Sequence, residues 1–131
     1  MGLLFKITGI AALAGAALAV PAFAGPSANV NAEEYYKTAV QLQAKGMTAL
    51  FDKRTKPMMA QMKDAGINAR DANAAATKRG KPLYCVPPAA KKKGMNAEQV
   101  IRMLGDLGQT RRQQTTLEQA WLIALKKEYP C

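Results

Sequence analysis

The stretch Leu83-Tyr84-Cys85-Val86-Pro87 and the closing run Glu128-Tyr129-Pro130-Cys131 contain the only two cysteines of this 131-residue chain. A bond between Cys85 and Cys131 would close the last third of the chain into one covalent loop. By chain entropy, a loop of this size contributes roughly 4 kcal/mol to stability. Two other uses of these cysteines stay open at this point: a reactive thiol and a bridge to another chain.

Two amphipathic helices are predicted inside this loop. The first begins with the capping box Asn96-Ala97-Glu98-Gln99, in which Asn96 caps the helix and Gln99 reaches back to the N–H of the cap. Apolar residues at helical spacing follow at Val100, Ile101, Leu104 and Leu107. Gly108 is expected to end this helix.

The second helix begins with another capping box, Thr116-Leu117-Glu118-Gln119. It is the most apolar helix after residue 24, and its inner residues are Leu117, Trp121, Leu122, Ile123, Ala124 and Leu125. Because its apolar face is broad, we expect this helix to be the central element of the core.

Two further helices are predicted before residue 80. From Asn31, one amphipathic helix of about five turns is indicated by the recurrence of Tyr36, Val40, Gln43, Met47 and Leu50. A second helix begins near Thr55 and Pro57, and Gly66 marks a place where it could break. Its inner face is formed mostly by small residues, namely Met58, Met62, Ala65, Ala69, Ala72 and Ala76.

The methionines of these two helices allow two interpretations. Methionine side chains are flexible and polarisable, so Met47, Met58, Met59 and Met62 could form an adaptable binding surface. The same spacing also suits ordinary core packing, which is the favoured interpretation.

Residues 1–24 have the features of a cleaved signal peptide. Lys6 supplies a positive start, Ile7–Val20 an apolar segment, and Ala22-Phe23-Ala24 a cleavage site before Gly25. The apolar segment is too short for a stable membrane anchor, although a retained membrane helix is the alternative. Export to the periplasm is therefore expected, and an oxidising compartment favours a disulfide between the two cysteines.

The chain is strongly basic, with a net charge of +10, of which the signal peptide contributes one. Export argues against nucleic acid as the partner, so acidic lipids, envelope polymers or an acidic protein face are the expected anionic surfaces. Most basic pairs fall in predicted last turns, where they complement the helix dipole. Lys91, Lys92 and Lys93 instead precede a helix N-terminus, so they are candidates for contact with a partner.

The second half of the chain resembles a known family. Three motifs carry the likeness: Tyr84-Cys85-Val86-Pro87, the run from Gly94 to Val100, and Ala124-Leu125 followed by Tyr129-Pro130-Cys131. Together they are similar to the Rap/Tai amidase immunity proteins of type VI secretion, with Pro88–Lys93 as an insertion. The resemblance implies a small helical protein, often a dimer, that blocks the active-site cleft of a peptidoglycan amidase with an exposed element.

The turn between the two last helices is the expected contact with such an amidase. It is polar and long-armed, and it lies between two capped helices. Arg111 and Arg112 would supply charged hydrogen bonds to the target, with Gln109 and Gln113 as neutral contacts.

Groups that usually carry catalysis are scarce in this sequence. The chain has no histidine, which is the commonest general base and zinc ligand, and Ser27 is the one serine after residue 24. No C-x-x-C and no glycine-rich phosphate loop appears, and the carboxylates are scattered. We therefore expect a protein that is not an enzyme, with no catalytic residues, no cofactor and no metal site.

The sequence thus predicts an all-α bundle of four to five helices in a single domain, residues 25–131, stapled by one disulfide. The leading expectation for its function is a periplasmic inhibitor of a cognate amidase effector, which could act as a homodimer. The alternative is a basic cell-envelope module or holdase-like chaperone that binds anionic lipid, polymer or unfolded protein.

Overall fold

A computed structural model describes residues 25–131, and within them the protein is all-α with one disulfide. The expected signal peptide, residues 1–24, lies outside the described residues. The α-helices are α1 (Ala32–Ala44), α2 (Thr55–Lys78), α3 (Pro88–Lys93), α4 (Ala97–Gly105), α5 (Gln109–Gln113) and α6 (Leu117–Glu128). Two 3₁₀ helices, Pro26–Asn29 and Gly46–Phe51, complete the described elements. None of these helices has the length and apolar character needed to span a bilayer.

Helix α6 is the central element, as its apolar face predicts. It packs against α2, α4 and α1, and its buried residues are Leu117, Ala120, Trp121, Ala124 and Leu125. The predicted capping box is present, because the Thr116 hydroxyl accepts from the N–H of Gln119 and the Gln119 side chain accepts from the N–H of Thr116. The two hydrogen bonds satisfy backbone N–H groups that have no partner within the first turn of the helix.

Helix α4 begins as predicted but ends earlier. The Asn96 side chain accepts from the N–H of Gln99 at 2.8 Å. The Gln99 side chain does not turn back to the cap; it donates to the Tyr129 hydroxyl at 3.3 Å, so this half of the predicted capping box is wrong. The helix ends at Gly105, and Gly108, at a φ of 83°, precedes α5 instead of ending α4.

The predicted disulfide joins Cys85 to Cys131, whose Cα atoms lie 4.9 Å apart. The segment before α3 is aligned with the end of α6 by a hydrogen bond from the Cys85 N–H to the Tyr129 carbonyl at 2.8 Å. The disulfide therefore links the middle of the chain to residue 131. A disulfide is the form that an oxidising, extracytoplasmic compartment favours.

Helix α1 is shorter than the sequence pattern predicts. It ends at Ala44, and Gly46 turns the chain with a φ of 60° into the 3₁₀ helix Gly46–Phe51. The predicted continuation of the apolar stripe is wrong, because Met47, Leu50 and Phe51 are 79%, 68% and 90% exposed. We refer to these three side chains as the apolar tip.

Helix α2 runs without a break through Gly66. Its buried residues Ala65 and Ala69 belong to the main core, where small side chains let α2 lie close against α6. Thr55 is its first residue and does not cap it; its hydroxyl donates to the Ala49 carbonyl at 2.5 Å. Continuous packing on α6 explains why one glycine does not interrupt this helix.

The start of the described chain is tied to the bundle by specific hydrogen bonds. The Ala32 N–H donates to the Thr115 carbonyl at 2.9 Å, and the Leu117 N–H donates to the Val30 carbonyl at 2.7 Å. Further upstream, the buried Ser27 donates both its N–H and its hydroxyl to the Asp64 carboxylate on α2. Residues 25–31 are therefore part of the fold.

Candidate methionine groove

An open apolar groove of about 760 Å³ lies between α2 and α4. Its other walls come from α1 and the second 3₁₀ helix, and Trp121 of α6 also lines it. Four methionines from two separate segments line it: Met58, Met59, Met62 and Met95. We call this feature the methionine groove. It exists because α2 and α4 both pack on α6 and leave a space between them.

A second open cavity, of about 820 Å³, extends the groove along α2. The two cavities share the lining residues Gly66, Met95 and Trp121, so they are adjacent lobes of one depression. The second lobe continues past Arg70 and Asn73 toward the disulfide. Lining positions on α2 extend from Thr55 to Thr77, which corresponds to about 33 Å at the helical rise. The depression is therefore long and open at the surface.

The two interpretations of the methionines are resolved residue by residue. Met58 and Met62 are partly buried against the core and also line the groove, so each serves both purposes. Met59 lines the groove with 66% of its surface exposed, while Met47 is exposed outside it. The favoured interpretation as plain core packing is therefore incomplete.

Tyr35 fixes the wall of the groove next to α2. Its hydroxyl donates to the Met58 carbonyl at 3.2 Å, and its ring is buried in the core. Burial raises the pKa of Tyr35 to about 12, so the hydroxyl stays protonated and keeps this bond at physiological pH. This hydrogen bond therefore anchors the wall of the groove at Met58.

The charged residues along the groove are mostly basic. Lys63 and Glu98 line the first lobe, and Arg70 and Lys91 line the second. A partner whose apolar face fills the groove would meet these cations at its edges, so acidic flanks on the partner are favoured.

Arg112, expected to contact a partner, is instead a buried structural residue. Its Nε donates to the Glu33 carboxylate at 2.6 Å, and its Nη1 donates to the carbonyls of Leu104 and Gly105 at 3.1 and 2.9 Å. The guanidinium carbon also lies 4.0 Å from the centre of the Tyr36 ring. This arginine satisfies the last carbonyls of α4 and cannot reach a partner, because only 7% of its surface is exposed.

The other residues of the predicted contact turn remain on the surface. They belong to α5, a short helix and not the expected turn, and Gln109, Arg111 and Gln113 are all exposed there. Helical geometry places Gln109 and Gln113 on one side and Arg111 on another. The buried Arg112 holds α5 against α4, so these three side chains are presented from a fixed position.

The three lysines Lys91, Lys92 and Lys93 precede the N-terminus of α4, as the sequence suggested, but they also belong to a helix of their own. They form the last turn of α3, which begins at Pro88. Cations are favourable at that end of a helix, so their place in α3 offsets the unfavourable position before α4 that marked them as contacts. All three are exposed, and Lys91 lines the second lobe of the groove.

Among residues 25–131, no group of three or more His, Cys, Asp or Glu side chains is placed to hold a metal ion. Comparisons of the chain with family models, characterised proteins and solved structures gave no match. The groove and the charges around it are therefore the basis for a functional assignment.

Sequence reasoning identified three of the four groove methionines but missed the fourth. Met95 precedes the cap of α4 and has no periodic partner, so no local pattern marks it. The apolar tip was also missed, since its residues continue a helical stripe in the sequence. Gly46 was the available signal, because glycine is the residue that adopts a positive φ without strain.

Proposed function

We propose that this chain is a periplasmic binding protein that holds an apolar polypeptide segment in the methionine groove and is not an enzyme. The observation that carries the proposal is a long, open, apolar depression lined by flexible methionines, with Lys63, Arg70 and Lys91 along it. Grooves of this kind accept the apolar face of an amphipathic helix, and methionines let them adapt to different sequences. This assignment corresponds to the holdase-like alternative of the sequence analysis.

The shape of the groove favours a polypeptide over a small molecule. Sites for small ligands enclose most of the ligand surface, whereas both lobes here are open and lie end to end along α2. A helix of about 20 residues spans about 30 Å, which matches the lining positions on α2. The signal peptide expected at residues 1–24 and the disulfide support a place in the cell envelope.

Binding of a fluorescent amphipathic model peptide with acidic flanks tests this proposal. Met59→Gln combined with Met95→Gln should weaken binding about tenfold, because two exposed apolar contacts are lost. Met47→Gln is the matched control, since Met47 is exposed outside the groove, and it should bind like the unaltered protein. Equal affinity of all three proteins would refute the groove as the binding site.

A second candidate function is inhibition of a peptidoglycan amidase, as the resemblance to Rap/Tai immunity proteins implies. The observation that favours it is the fixed presentation of Gln109, Arg111 and Gln113 on α5. This surface lies on a different element from those lining the groove, so the two functions can be separated by mutation.

Inhibition of an amidase encoded beside this gene tests the second candidate. Arg111→Ala with Gln109→Ala should relieve inhibition while the methionine groove variants inhibit normally. Arg112 must be left intact, because its loss would disturb the fold and not only the surface. Full inhibition by the Arg111 and Gln109 double variant would exclude α5 as the blocking element.

A further inference from the structure

The apolar tip is an exposed hydrophobic feature of the surface. Its residues Met47, Leu50 and Phe51 are the three most exposed large apolar residues in the described chain, and none of them lines either lobe of the groove. They share one short 3₁₀ helix, Gly46–Phe51, that lies between α1 and α2 in the chain. Three bulky apolar side chains held in water in one segment need a physical reason.

The segment that carries the apolar tip is braced by Asp52. One Asp52 oxygen accepts from Lys45 at 2.6 Å, and the carboxylate also accepts from the N–H, Nε and Nη2 of Arg54. These hydrogen bonds hold the pKa of Asp52 well below its usual range, so the carboxylate is ionised at every physiological pH. The two ends of the 3₁₀ helix are therefore clamped, and the tip is presented by an ordered turn.

The surroundings of the apolar tip are basic. Between residues 45 and 56 the chain has four cations, Lys45, Lys53, Arg54 and Lys56, and one acidic residue, Asp52. Asp52 is occupied by Lys45 and Arg54, so Lys53 and Lys56 have no carboxylate partner in this segment. Both lysines are exposed.

We propose that the apolar tip inserts into the interface of an anionic phospholipid bilayer while Lys53 and Lys56 contact its headgroups. Transfer of phenylalanine and leucine side chains out of water is favourable, and lysines near an anionic surface add electrostatic attraction. Charge complementarity decides the occupant, because the segment of residues 45–56 that carries the tip has a net charge of +3 and an anionic bilayer offers both an apolar layer and negative headgroups. This surface is separate from the methionine groove, and the proposal does not rest on the groove function.

Vesicle co-sedimentation of the purified, disulfide-bonded protein tests the proposal. The protein should bind vesicles of phosphatidylethanolamine with phosphatidylglycerol and should not bind vesicles of phosphatidylcholine alone. Leu50→Ser with Phe51→Ser should reduce binding at least about tenfold. Lys53→Gln with Lys56→Gln should reduce it roughly thirtyfold, and high salt should have the same effect as these lysine changes.

Two controls make the outcome decisive. Ile67→Ser removes an exposed apolar residue of α2 outside the tip and should leave vesicle binding unchanged, as should Met59→Gln in the groove. Thermal unfolding should be the same for the tip, lysine and Met59 variants, since these side chains are largely exposed. Undiminished binding of the Leu50 and Phe51 double variant would overturn the proposal. So would a concentration-dependent homodimer that the same double variant abolishes, without any vesicle binding.

Discussion

Two segments of this protein contain similar mixtures of apolar and basic residues and use them in opposite ways. Between residues 97 and 128 the large apolar side chains are buried or partly buried, and Arg112 is buried as well. Between residues 45 and 56 the apolar tip faces water beside exposed lysines. The same residue types therefore contribute stability in the first segment and, by our proposals, binding in the second.

Breaking the disulfide should have the largest effect, and it tests the first segment. The bond spans 46 positions, so reduction or Cys131→Ser should lower the free energy of unfolding by about 4 kcal/mol. Urea denaturation with and without a reductant measures this difference. A change below about 1 kcal/mol would show that α4 and α6 hold the C-terminal segment without the bond.

Two adjacent arginines sharpen the contrast between buried and exposed residues. Arg112→Ala should lower the free energy of unfolding by about 3 kcal/mol, because it leaves the buried Glu33 carboxylate without its partner. Arg111→Ala, one position away on the exposed side, should change it by less than about 0.5 kcal/mol. Chemical denaturation of both variants measures the difference, and equal effects would contradict the structural role of Arg112.

Alkaline pH should destabilise the fold through Tyr35. The native hydroxyl has a pKa near 12, whereas that of an unfolded chain is near 10, so the unfolded state loses its proton first as the pH rises. Stability should therefore fall by about 2 kcal/mol between about pH 10 and 12. Below pH 10 the full stabilising contribution of the protonated Tyr35 hydroxyl is present. Burial also raises the pKa of Tyr84, which adds a loss of the same sign.

Tyr35→Phe provides the control for this pH dependence. The variant should unfold with a shallower loss of stability above pH 10, because the group whose pKa differs between the two states is gone. Urea unfolding at a series of alkaline pH values gives the slopes. Identical slopes for the two proteins would show that Tyr35 ionises in the native state as it does in the unfolded chain.

The apolar tip should show the smallest effect on stability. Leu50→Ser with Phe51→Ser should change the free energy of unfolding by less than about 0.5 kcal/mol, since neither side chain is packed in the core. Thermal unfolding measures this change, with Leu104→Ala as the comparison. That variant truncates a fully buried side chain and should lower the free energy of unfolding by about 3 kcal/mol. A large loss in the tip variant would show that the second segment also contributes to stability.

The fold was more predictable from the sequence than the candidate site was. The capping box at Thr116, the cap at Asn96 and the apolar face of α6 were correct, because each depends on residues within one or two helical turns. The extent of α1 was wrong, since the apolar stripe continues past Gly46 while the backbone does not. Periodicity records which residues could be buried, and it does not say whether another surface is there to bury them.

The candidate site was only partly accessible for the same reason. Met58, Met59 and Met62 were identified by their helical spacing, but their role as a groove wall requires α4 to stand opposite α2. Arg112 was assigned to the surface because it lies in a polar segment between two capped helices. Its partner, Glu33, is 79 positions away and comes within 2.6 Å only when α1 packs beside α5.

The sequence by itself determined the helical class, the caps at Asn96 and Thr116 and the central helix, and it favoured the pairing of its two cysteines. These features follow from interactions between near neighbours in the chain or, for the cysteines, from there being only two. The tertiary structure alone decided that Arg112 is buried, that a groove opens between α2 and α4, and that the apolar tip stays in water. Each of these depends on which surfaces meet when α2 and α4 pack on α6, and distant segments supply those surfaces.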